Sequence, residues 1–97
     1  MSEPLKTIPG YHFDRPELED LYAMISAEDL PVKPVRVGYR FSFDRPIGDV
    51  VTVMLDFGGT ARQDELVHEN LYPLMVLVDR WAMKHFEDVV AVTNVSF

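Results

Sequence analysis

At 97 residues, with 47% hydrophobic and 26% charged residues, the chain suits one small domain (1–97) with a single core and is too apolar for disorder. Sixteen acids against nine bases leave a net charge of −7, which opposes docking on a nucleic-acid backbone, and the absence of cysteine removes disulfides and thiolates from consideration. The longest apolar run, LYPLMVLV at 71–78, is far short of the ~20 residues that span a bilayer, and MSEPLKTIPG lacks a signal-peptide pattern, so a soluble, cytoplasmic protein is expected.

Residues 1–13 hold Pro4, Pro9 and Gly10 and read as an irregular arm, with a short extended piece at 11–13. The first helix follows. Asp14 or Arg15 caps it, Pro16 enters where a missing N–H costs nothing, and Glu17, Glu19 and Asp20 sit near the positive end of the dipole. Leu18, Leu21, Tyr22 and Ile25 recur at helical spacing, and Pro31 and Pro34 forbid continuation past about Glu28.

VRVGYRFSF alternates apolar and polar residues from Val35 to Phe43, which predicts a strand, and the β-branched VVTVMLDF at 50–57 predicts a second. The two should form a hairpin around a loop at 45–49, pairing Phe43 with Val51, Phe41 with Val53 and Tyr39 with Leu55. The tetrapeptide Phe-Asp-Arg-Pro stands both before the first helix and at this turn. Its flanks, ELEDLYAM and IGDVVTVM, share no periodicity, so it is punctuation and not an internal repeat.

Gly58-Gly59-Thr60 leads into a long helical stretch at 61–88, where Pro73 predicts a kink or break near Tyr72, and VVAVTNVSF closes the chain as a strand. The order is α-β-β-α-β. It implies an α+β domain: a small antiparallel sheet with both helices packed on one face.

Candidate chemistry is sparse. Asp56-Phe57-Gly58-Gly59-Thr60 has neither a kinase around it nor the Gly-Lys-Ser/Thr ending of a phosphate loop, and reads as a turn needing positive φ. His68 lies among Asp64, Glu65 and Glu69, but only two of these groups share a helical face, short of the three or four ligands a metal needs. His12 has no evident partner, His85 projects to the edge of the core, and no serine sits in a nucleophile elbow. No enzyme activity, cofactor or metal is expected.

The second helix says more. At about 100° per residue, Val67, Leu71, Leu74, Leu77, Val78, Trp81 and Ala82 cover one face, with Trp81 as the expected anchor of the core. Tyr72, Val76 and Met83, flanked by Met75 and Phe86, form a second apolar stripe roughly opposite. A helix on a small sheet needs one apolar face, so the second is expected to meet another chain unless the arm and first helix cover it. Charge is uneven too: Lys33, Arg36, Arg40 and Arg45 stand against Asp44 alone in 30–45, between two acidic segments. Arg36 and Arg40 are thus candidate contacts for an acidic surface, including another copy, while the acidic segments suit a basic partner; the faces can also neutralise one another within one chain.

The strand VVTVMLDF, then DEL at 64–66, LYPLM at 71–75 and the closing VAVTNVSF resemble the tail-terminator (minor tail protein) family of long-tailed bacteriophages over the C-terminal half. That resemblance implies a ring-forming structural protein of a phage tail or neck, found in the host cytoplasm or the virion. The chain is shorter than the usual members of that family, and its N-terminal half matches no part of the pattern. The expected function is a non-enzymatic protein–protein assembly role, with the chain itself or other protein subunits as partners and neither nucleic acid nor membrane. The second expectation is a small acidic inhibitor, or immunity protein, that blocks a basic toxin or a host defence complex.

Overall fold

The computed structural model describes residues 10–30, 32–59 and 71–97, and the backbone alone of 68–70. The first helix, α1, spans Glu17–Ala27, with Pro16 at its N-cap in place of the expected Asp14 or Arg15, no side-chain cap hydrogen bond, and Glu28 at its C-cap. Three acids occupy its first turn, where the helix dipole favours negative charge. Leu18, Leu21 and Ile25 are buried, and the half-buried Tyr22 uses its hydroxyl to accept from the Val37 N–H at 2.9 Å.

Strands β1 (Arg36–Asp44) and β2 (Gly48–Asp56) form the hairpin, α2 spans His68–His85, and β3 spans Val89–Ser96. Odd-numbered side chains of β1 and β2 (Val37, Tyr39, Val51, Val53, Leu55) share one core with both helices. Trp81 is fully buried at its centre, as its place in the helical pattern predicts, and its indole N–H donates to the Glu17 carbonyl at 2.8 Å.

Three further expectations are corrected. The sheet, in the order β1-β2-β3, is mixed and not antiparallel throughout: β2 pairs antiparallel with β1 but parallel with β3. An 18-residue helix is about 27 Å long, close to the roughly 30 Å of a nine-residue strand, so α2 returns the chain to the start of β2 and β3 sets off in the same direction. As the central strand, β2 is buried on both faces, which its continuous β-branched run suits.

The hairpin register also differs, by two residues. Tyr39 pairs with Val53, Phe41 with Val51 and Phe43 with Asp49, and Asp44 and Gly48 close a three-residue loop in place of five. Gly48, at φ 106°, turns tightly enough to bring itself and Asp49 into the strand. Side chains alternate with period two, so this slip leaves every residue on its expected face. Finally, α2 is continuous through Pro73, so the helix is not broken there.

The sheet face away from the helices is crossed by the arm. His12 and Tyr39 exchange two backbone hydrogen bonds, of 2.9 and 3.0 Å, at the free edge of β1. This makes the expected extended piece at 11–13 a one-residue bridge. Phe13 then lies on Gly38, where a Cβ would stand 2.7 Å from two ring carbons and 2.9 Å from the His12 carbonyl. Arg36 stacks 4.0 Å over the Phe13 ring and Arg40 5.0 Å over Tyr11, whose hydroxyl accepts from Asn94 at 3.2 Å.

Candidate protein-binding surface

An aromatic column runs from the core to the surface. Tyr39 meets Trp81 at 5.5 Å, Phe86 at 5.6 Å and Phe41 at 5.4 Å between ring centroids, and Phe86 meets Phe41 edge-to-face at 4.9 Å. Its outer end forms one wall of a surface hollow of about 450 Å³, where Phe41 and Phe86 meet Asp49, His85, Glu87 and Val89. Beyond the hollow, the tip of the hairpin carries Phe43 and Ile47, 66% and 56% exposed. The flanking charges are predominantly acidic: Asp44, Asp49, Glu87 and Asp88 against Arg45, all exposed.

Element length explains why this end is open. The 11 residues of α1 reach about 16 Å, roughly half the length of the nine-residue β1. Val37 and Tyr39 lie under the helices, while Phe41 and Phe43, on the same face, extend past them. Sequence reasoning placed both phenylalanines on the core face and missed their exposure, and Ile47 was absorbed into the turn. The available signal was the mismatch between a long strand and a short covering helix.

The polar groups behind the column hold it in place. His85 Nε2 lies 2.9 Å from Asp20 Oδ2, and Lys84 Nζ is 3.0 Å from the same oxygen. The His85 hydrogen bond, then that of Lys84, holds the Asp20 carboxyl below its ordinary value despite some desolvation. Burial pushes the Tyr39 hydroxyl up, and the charge and hydrogen bond of Glu17 add to it. Glu17 Oε2 is buried and lacks a hydrogen-bond partner among the described residues. The Asp20 contacts tie the end of α2 to α1, and the exposed chemistry of the site is that of apolar contact with a negative rim.

The residues singled out from the sequence fall into three groups. Tyr72, Met75 and Met83 are exposed on α2, Met83 at 82%, with Val76 half-buried beside them. Phe86 turns inward to the column and joins the hollow in place of the outer stripe. Arg36 and Arg40 belong to the opposite sheet face: Arg36 Nε contacts Asp56 Oδ2 at 2.6 Å, and Arg40 is exposed over Tyr11. Asp56, the acid of the kinase-like letters, is occupied by Arg36 and by the Gly58 N–H at 2.9 Å, and Gly58 and Gly59 have the positive φ that the turn was expected to need. No group of three or more His, Asp or Glu residues among the described residues converges as metal ligands would. The side chain of His68 and residues 64 and 65 lie outside the described residues, as do Val67 and the side chain of Glu69.

No helix among the described residues is long and apolar enough to cross a membrane. Comparison of the chain with protein-family models, with curated proteins and with solved structures found no match.

Proposed function

We propose that the protein is a non-enzymatic assembly protein that joins protein chains, with the open end of the β1–β2 hairpin as a contact surface. The observation that carries this reading is the exposure of Phe43 and Ile47, at 66% and 56%, beside an aromatic-walled hollow. Contiguous exposed apolar surface with a polar rim marks contact sites in small soluble domains. The resemblance of the C-terminal half to tail-terminator proteins supports a ring as the specific form of assembly.

A second reading is favoured by the rim itself. Asp44, Asp49, Glu87 and Asp88 against Arg45 suit a basic partner, as an acidic inhibitor would require. Mass measurement in solution, with circular dichroism on the same sample, separates the readings. An assembly protein forms species larger than two chains, and Phe43→Ser with Ile47→Ser reduces their mass while the fold persists. An inhibitor stays a monomer or dimer and binds a basic protein less tightly as salt rises. Oligomers unchanged in the double variant would remove the hairpin end as the assembly contact.

A further inference from the structure

We infer that the outer edge of β3, which pairs with no strand among the described residues, pairs antiparallel with β3 of a second copy, joining two three-stranded sheets into one of six strands, with Val92 facing its own symmetry mate. The inference rests on the chain-joining reading but uses a different surface from the hairpin end.

The first observation is the asymmetry of the two sheet edges. The outer edge of β1 is bridged by His12 and carries Arg36, Arg40 and Asp44. The outer edge of β3 pairs with no strand among the described residues, and its sequence, VVAVTNVS, contains no charge, proline or glycine. Isolated edges are commonly protected by such residues, because their open N–H and C=O groups template further pairing.

Backbone parity then selects a register. The Ser96 carbonyl accepts from the Phe57 N–H of the neighbouring chain segment, so even-numbered residues of β3 bond inward. The N–H and C=O groups of Val89, Ala91, Thr93 and Val95 therefore point to the outer edge. An antiparallel copy can bond these odd positions to one another, Ala91 opposite Thr93 and Val89 opposite Val95. Val92 then meets Val92 of the copy across the two-fold axis in a non-hydrogen-bonded pair, where side chains approach most closely. Val90 and Val92 are 45% and 40% exposed on that face, so the pairing covers apolar surface.

The helix that packs against β3 points to a second copy as the occupant and not an isolated strand. Lys84 reaches Asp20 on α1, which fixes one flank of α2. Met75, nine residues away and so about 180° around the helix, is exposed on the flank away from α1, and α2 packs against β3. A lone peptide strand would leave Met75 uncovered. A second copy related by a two-fold axis normal to the sheet brings its own α2 to the same side, and since α1 packs on β1 and α2 on β3, the Met75 flanks of the two helices are the ones that turn toward each other. The chain carries −7, so two copies repel at long range and added salt should tighten the dimer, opposite in sign to binding a basic partner.

The test uses the full chain, which has no cysteine. Val92→Cys, under mild oxidation, should give a disulfide-linked dimer of twice the 11.1 kDa chain mass, much faster than Val90→Cys, whose predicted neighbour is Asn94. The crosslink should persist when Phe43 and Ile47 are replaced by Ser, so failure here and failure at the hairpin end are distinguishable. In the Phe43→Ser, Ile47→Ser background, which leaves the β3 pairing alone, Val92→Lys should convert the dimer to a monomer in sedimentation while circular dichroism stays unchanged. Equal crosslinking at the two positions, sedimentation of the wild type as a monomer at all concentrations and salts, or a dimer weakened by salt would each overturn the inference.

Discussion

The two halves of β1 follow one alternation and have opposite fates. Val37 and Tyr39 are 0% and 4% exposed, whereas Phe41 and Phe43 on the same face are 52% and 66% exposed. Period-two patterning assigns a residue to a face, but a helix must reach over that face before the residue is buried. The inner half of β1 is core because α1 and α2 lie above it. The outer half is surface because α1 has ended.

The sharpest way to break this contrast is at the covered half. Trp81→Ala should destabilise the domain by roughly 3–5 kcal/mol, a large share of a small domain's total. Denaturant unfolding checks this. A loss near that of a surface substitution would mean the helices do not bury the inner half of β1.

Gly38→Ala should cost about 1–3 kcal/mol, because its Cβ meets Phe13 and the His12 carbonyl with little room to yield. The same variant should release the arm, so the Tyr39 amide, bonded to the His12 carbonyl at 3.0 Å, should lose hydrogen-exchange protection. Loss of stability with that protection intact would place the strain elsewhere.

Acid gives a smaller effect with a fixed sign. Asp20 is held below its ordinary value of 3.8 by His85 and Lys84. As pH falls below about 4 the unfolded chain takes up the proton first. The contribution of Asp20 to stability is therefore present at neutral pH and is lost as pH drops through its depressed folded value. Asp20→Asn should flatten the acid limb of the stability curve, and an unchanged limb would show that the contacts of Asp20 do not couple to folding.

The smallest effect belongs to the open half. Phe43→Ser should move stability by only about 0.5 kcal/mol in the same unfolding measurement. A shift approaching that of Trp81→Ala would show that Phe43 is packed, and the comparison between the two halves would collapse.

By itself, the sequence determined the element order, the bounds of α1 between Pro16 and Glu28, the inward face of each element and the central place of Trp81. These follow from local chemistry: the prolines that flank the helix, and the fixed periods of helix and strand. It also exposed the apolar outer side of α2 at Met75 and Met83. Only the tertiary structure decided that β3 runs parallel to β2, that Gly48 tightens the hairpin by two residues, and that Phe86 turns in while Phe41 and Phe43 remain out. Strand direction depends on where a long crossover delivers the chain. Register depends on the backbone at one turn, and burial depends on whether an element distant in sequence is long enough to cover the site. None of the three is carried by the period of the residues themselves.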